Sequence, residues 1–381
     1  MADTIIDYAI LNADKPIEQL PFSTVDGLIL AQLSYLNFSG FVPDSGKDTK
    51  GYLLSKIIER KSSSKIYYKS RTINNNKLYN VVAYSKRFGK MRAKYYEDIM
   101  EKDSDTQFSA ITFVLSPDLN VIAFRGTDST IIGWKENCDM LFRSPVSSQD
   151  LSVAYLDKVI PKLTGDIIVV GHSKGGNLAI YGSTLCNKEN QKRIKKVMAY
   201  DNPGFTDSFL ASKEYNKIEK KIMKTVPEGS MIGMLLSNKH NNNFAIVKSD
   251  GTGMYQHDPF TWQVKNNKFV PTDSIDMKAT FVGSTFNEWV FGFPPEQREK
   301  FIELIFGLVE KTNESNATTF KQWVDNLRSN IPLALEGIKE MSPEEKELAR
   351  KVVGNLFSSM GGNIVNSPEK ILKMTIKKIT P

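Results

Sequence analysis

Ser173 lies in Gly171-His172-Ser173-Lys174-Gly175, a Gly-x-Ser-x-Gly pattern that can carry nucleophilic chemistry. The bare pattern arises by chance in roughly one chain of this composition in eight, so its flanks decide its meaning. Before it runs Asp166–Val170, an apolar segment of strand length. After it runs Lys174–Cys186, rich in Leu and Ala and helical in character. A strand, a sharp Gly-flanked turn and a helix form a nucleophile elbow, which lifts a serine above the edge of a sheet. In that geometry the backbone N–H of Lys174, at a helix N-terminus, points where an oxyanion would form.

A serine hydroxyl needs a base to take its proton. The chain has three histidines. His172 adjoins the serine inside the turn and reads as a packed turn residue. His240 sits in a polar Asn/Lys-rich turn. His257, in Tyr255-Gln256-His257-Asp258-Pro259-Phe260, follows late in the chain, as the order serine, acid, histidine requires. His257 is the candidate general base. The acid is expected after a strand between the two. Asp201 directly follows Lys196–Tyr200, a short strand pattern, and precedes Asn202-Pro203-Gly204. That is the carboxyl edge of a sheet, where sites of α/β folds lie. An Asx-type turn ahead of Pro203 is its alternative role. Glu228 and Asp207 are reserve acids, and Asp258 is too near His257 to orient it. For the second oxyanion donor, Thr127 in Phe124-Arg125-Gly126-Thr127-Asp128 ends a strand and offers a backbone N–H and a hydroxyl; a strand-ending cap is the competing reading.

These residues must be held by elements that the patterning outlines. Val25–Tyr35 has apolar residues at helical spacing, with Ser23 or Thr24 as cap and Asp26 in the first turn. Ala110–Leu115 and Val121–Arg125 are strand runs joined by the turn signal Ser116-Pro117-Asp118. Ser148–Leu163 reads as a helix that Pro161 ends or kinks. Lys221–Val226 is a further strand candidate, and Met231–Leu236 and Phe244–Lys248 are expected to pair across Asn238–Asn243. Alternating strands and helices imply an α/β fold with a mainly parallel sheet flanked by helices. After Gln263 the signals turn mostly helical: Pro295–Val309, Phe320–Leu335, and a helix opened by Ser342-Pro343-Glu344-Glu345 and ended by Gly361-Gly362.

The 381 residues suit one large or two modest domains. No apolar run reaches the roughly 18 residues that span a bilayer, and mean hydropathy is −0.31. The N-terminus lacks the pattern of a secretory signal. Two cysteines, Cys138 and Cys186, have no metal-ligand spacing, so a reducing cytoplasm is expected, with no cofactor or metal. Net charge is +7. Twelve Lys or Arg residues and one acid, Glu59, fall between Lys56 and Lys94, interleaved with tyrosines. A solvated basic face is the plain reading. An anionic membrane surface or acidic substrate is the second. Nucleic acid ranks last, since no nucleic-acid motif accompanies the charge.

Phe124-Arg125-Gly126-Thr127-Asp128 and Gly171 to Asn177 resemble the oxyanion strand and elbow of class 3 (fungal-type) lipases. The sequence more closely resembles the Mbeg1-like family of bacterial α/β-hydrolase-like proteins. The likeness extends through Val25-Asp26 to Leu33-Ser34-Tyr35, Gly133-Trp134-Lys135-Glu136, Asp201-Asn202-Pro203-Gly204-Phe205, Val226-Pro227 with Gly233-Met234-Leu235-Leu236, and Gln256-His257-Asp258-Pro259 with Trp262-Gln263-Val264. It implies a lipase-like sheet with Ser173 and His257 at catalytic positions and Thr127 at the oxyanion hole. In class 3 lipases the acid follows a later strand, near Val226-Pro227 here, where this chain has Glu228, Gly229 and Ser230 and no Asp. That departure favours Asp201.

The expected organisation is a lipase-like domain over 1–278, with 40–105 a basic insertion or lid candidate, and a helical C-terminal region over 279–381. The expected function is hydrolysis of a carboxylic ester, of lipid or acyl type, by Ser173, Asp201 and His257, with Thr127 and Lys174 at the oxyanion hole and a small-molecule ester as partner. The location is cytoplasmic, with peripheral membrane association as a variant. The alternatives are a partner-binding protein on a hydrolase scaffold, and a thioesterase or peptidase with the same triad.

Overall fold

The computed structural model describes residues 3–47, 50–59, 73–101, 103–127, 144–236 and 244–277, with 136, 139–140 and isolated positions between 279 and 343. The C-terminal helices expected at Pro295–Val309 and Phe320–Leu335 lie outside the described residues, as does almost all of the helix opened by Ser342.

Eight strands form one sheet in chain order. They are β1 (Tyr52–Leu53), β2 (Arg92–Glu101), β3 (Thr106–Ser116), β4 (Leu119–Phe124), β5 (Asp166–His172), β6 (Ile194–Tyr200), β7 (Ile222–Pro227) and β8 (Ala245–Val247). Strands β1 to β4 pair antiparallel, and β4 to β8 pair parallel. The hairpin expected around Ser116-Pro117-Asp118 is the β3–β4 turn. From β4 onward each crossover carries the chain back over the sheet, so the carboxyl ends of β4, β5, β6 and β7 share one edge. Phe124 stands beside Gly171, Gly171 beside Ala199, and Tyr200 beside Thr225.

Strand alternation sorts the core into two layers. Val121, Ala123, Ile168, Val170, Met198 and Tyr200 pack with the helices Ile5–Leu11, Thr24–Leu33 and Ile73–Tyr84. Their neighbours Ile122, Phe124, Ile167, Val169, Val197 and Ala199 pack with Ser147–Val159 and the elbow helix Lys174–Leu185. The described residues of 40–105 thus include a helix of the core and a long strand of the sheet. Within its basic run, Arg92 pairs with Val114, which pairs with Asn120 next to Ile167, at the sheet edge opposite the strands' carboxyl ends.

The helix expected over Val25–Tyr35 runs from Thr24 to Leu33, with Ser23 as N-cap. Ser23 accepts from the Asp26 amide at 3.2 Å and its own amide donates to Asp26 Oδ2 at 2.8 Å. Asp26 is fully buried and also receives Arg87 Nε at 2.8 Å and Nη2 at 2.6 Å. Burial and the Asp26 carboxylate push the Tyr8 phenol up to about 12, so it stays protonated and donates to Asp26. Removing one partner of a buried pair strands the other charge, at a cost of about 3–5 kcal/mol. Arg87→Met is therefore expected to lower unfolding free energy by about that amount in urea titrations, far more than Lys86→Met at the exposed Lys86–Asp14 pair.

Pro161 does end a helix: Ser147–Val159 passes into a single 3-10 turn, Ile160–Lys162. The expected pairing of Met231–Leu236 with Phe244–Lys248 does not form. Met231–Leu236 is a run of turns, and β8 joins the sheet by pairing parallel with β7. The turns have a local cause, since the Ser230 hydroxyl and the Gly233 amide are both drawn to Asp201. A second small sheet, β9 (Val264–Lys265) with β10 (Lys268–Phe269), occupies a stretch where helical signals were expected to begin. Among the described residues no helix is long and apolar enough to cross a membrane.

Candidate active site

Ser173 stands between β5 and the elbow helix with φ 59° and ψ −133°, a conformation that costs a non-glycine residue about 1–3 kcal/mol. Its amide donates to the Tyr200 carbonyl at 2.9 Å, which ties the turn to the end of β6. The flanking glycines are needed for space. A Cβ on Gly171 would lie 2.0 Å from the Gly175 carbonyl oxygen, and one on Gly175 would lie 2.2 Å from the Phe124 carbonyl oxygen. Ser173 itself is buried, at 6% exposure.

Asp201 follows β6 and is fully buried, also with positive φ, at 43°. Its Oδ2 lies 2.6 Å from His257 Nδ1. Its Oδ1 accepts from the Ser230 hydroxyl and, at 3.1 Å, from the Gly233 amide. The carboxylate is an acceptor, so the proton of a neutral His257 sits on Nδ1 and the lone pair on Nε2. The reserve acids are engaged elsewhere. Glu228 Oε1 accepts from the Ser249 amide at 3.4 Å, Asp207 opens the short helix Asp207–Leu210, and Asp258 caps Phe260 at 3.1 Å.

Three contacts hold the segment that carries His257. The Gly229 amide donates to the Gln256 side chain at 2.8 Å, Trp262 Nε1 donates to the Gln256 carbonyl at 2.8 Å, and His172 Nε2 donates to the His257 carbonyl at 3.0 Å. His172 is buried and its ring stacks on that of His257, with centroids 4.6 Å apart. Since the carbonyl can only accept, Nε2 of His172 carries the proton, and a neutral ring then accepts from the Tyr35 hydroxyl at Nδ1, 3.2 Å away. His172 is thus a packed turn residue whose packing surface is His257, one residue along the chain from Ser173. His240 lies outside the described residues.

On the other side of the serine, Gly126 presses its backbone against the elbow. A Cβ there would meet the Tyr35 hydroxyl at 2.1 Å, the His172 carbonyl at 2.5 Å and the Ser173 Cβ at 3.1 Å. Thr127 comes next. It is buried, and its hydroxyl has no hydrogen-bond partner among the described residues. A buried hydroxyl left unpaired costs about 1–3 kcal/mol.

Lys174 begins the elbow helix, and its side chain is wholly buried. Nζ donates to the Gln107 carbonyl, to Gln107 Oε1 at 3.0 Å and to Glu136 Oε2 at 2.7 Å. The loop after β6 is fastened by Asn177, whose Nδ2 donates to the carbonyls of Pro203 at 3.2 Å and Gly204 at 3.1 Å, while Gln149 Nε2 donates to its Oδ1 at 2.9 Å. Sequence reasoning missed Ser230, Gly233, Tyr35, Glu136 and Gln107 as parts of this arrangement. Only Gly233, Tyr35 and Glu136 carried a signal, as members of the segments that bear the family resemblance.

The carboxylate–imidazole pair at Asp201 and His257, the serine on its strained turn after β5 and the unpaired Thr127 hydroxyl after β4 come from segments that leave the same edge of the sheet. Among solved structures, the fold is similar to that of the M37 lipase, with a TM-score of 0.36 and 13% identity over 56% of this chain and 69% of that one. It is also similar to the Rhizomucor miehei lipase in its propeptide complex, with a TM-score of 0.33 and 16% identity over 51% of this chain and 65% of that one. No curated protein matches the sequence. The model of the Mbeg1-like family matches residues 82–307, more than half of the chain and a span that includes Thr127, Ser173, Asp201 and His257, so the chain belongs to the Mbeg1-like family.

Proposed function

We propose that the protein is a serine hydrolase that cleaves a carboxylic ester of lipid or acyl type. The observation that carries this reading is the buried Asp201 carboxylate, held by Ser230 and Gly233 and bonded at 2.6 Å to His257 Nδ1. A carboxylate kept dry for one imidazole is a means of orienting a base. His257 Nε2 takes the Ser173 proton as Oγ attacks the acyl carbonyl. The backbone N–H of Lys174 and the donors of Thr127 receive the oxyanion. The imidazolium returns its proton to the leaving alcohol, and water then hydrolyses the acyl-enzyme by the same steps in reverse.

The small-molecule ester is the partner in this reading. No membrane is invoked at the site; Arg92 of the basic run lies toward the opposite sheet edge. The test is hydrolysis of p-nitrophenyl esters of graded acyl length by the full chain. Turnover is expected in wild type, with His257→Ala slower in kcat by about 10⁴-fold or more. Equal rates for the two proteins would defeat the proposal.

A further inference from the structure

We infer that the Lys174 side chain, through Glu136, is a positioning group for the oxyanion-binding amides beside Ser173; this rests on the serine-hydrolase reading. Any residue but proline at 174 supplies the same backbone N–H, so what lysine adds there comes from its side chain. That side chain is wholly buried and anchored on the Gln107 carbonyl, Gln107 Oε1 and Glu136 Oε2. The Glu136 carboxylate also accepts from the Gln107 amide at 3.0 Å and the Ser148 amide at 3.0 Å. It therefore knots together the start of β3, the N-terminus of the helix Ser147–Val159 and the first turn of the elbow helix.

Stability alone does not call for this knot. A cation at a helix N-terminus opposes the helix dipole. A buried ion pair is often no more stable than apolar side chains of the same volume. What the pair does provide is a fixed first turn. Gly175, next in the chain, packs its backbone on the Phe124 carbonyl and on Gly126, so a small tilt of that turn moves the Lys174 amide relative to Thr127. Oxyanion donors act only when held within about 0.5 Å of their working position.

The decisive experiment compares wild type, Lys174→Met, Glu136→Gln and the double variant by steady-state hydrolysis of p-nitrophenyl acetate, by the rate of labelling with a fluorophosphonate probe, and by melting temperature. The single Lys174→Met variant is expected to lose about 30-fold or more in kcat and in labelling rate, with KM within threefold of wild type, because the donors serve the transition state. The double variant leaves no buried unpaired charge, so its melting temperature is expected to rise above that of the single variant while kcat stays low. A residue that merely stabilises the fold would have kcat recover along with melting temperature, and that outcome overturns the inference. So does a Lys174→Met enzyme within threefold of an active wild type. Wild type that neither turns over nor labels overturns the hydrolase reading and this inference with it.

Discussion

Ser173→Ala is expected to lower ester turnover by about 10⁵-fold or more while leaving the fold intact. The hydroxyl is the only atom removed. Among the described residues it serves no structural hydrogen bond: the elbow helix has no side-chain cap there, and residue 173 bonds through its backbone, its amide donating to the Tyr200 carbonyl and its carbonyl accepting from the Gly176 and Asn177 amides. Alanine does inherit the positive φ, but serine bears the same backbone strain already. The variant should therefore show an unchanged melting temperature and circular dichroism beside a lost activity. A variant that keeps its turnover would remove Ser173 from the chemistry, whatever its stability.

The second large effect is expected at Asp201. Asn at this position keeps the size and the acceptor oxygen for Ser230 and Gly233, but loses the negative charge that faces His257. The imidazole then has no anion to fix its tautomer or to balance it when it is protonated, and a loss of about 10³–10⁴-fold in kcat follows. Glu228→Gln provides the internal contrast. Glu228 is turned toward the Ser249 amide, and its replacement should change kcat by less than about threefold. Measured together at saturating substrate, the two variants assign the acid, and the reverse ranking would contradict the geometry described.

Much of this site can be read from the sequence, and for physical reasons. The β5 run, the two close-packing glycines and the Leu- and Ala-rich helix encode the elbow locally, so the position of Ser173 needs no long-range knowledge. His257 stands out because histidines are scarce. Asp201 is harder. Its merit over Glu228 depends on which carboxylate the turns after β7 surround, and Ser230 and Gly233 act on it from about 30 residues away in the chain. The same demand explains the failed hairpin: Met231–Leu236 has strand-like composition, but its backbone is committed to turns that feed donors to Asp201. The strand β2 was illegible for a different reason. Its charged residues and the bulge between Lys94 and Glu97 break the two-residue alternation on which strand reading depends. The Lys174–Glu136 pair was hidden because a lysine is read as a surface residue unless a partner is known, and that partner lies 38 positions away.

The most direct test of the central claim is mass spectrometry of the full-length protein after reaction with a fluorophosphonate. One adduct is expected, on the peptide that contains Ser173, formed by wild type and absent from Ser173→Ala, with the labelling rate reduced in His257→Ala. No adduct in wild type at any pH between 6 and 9, or an adduct that survives in Ser173→Ala, would contradict it.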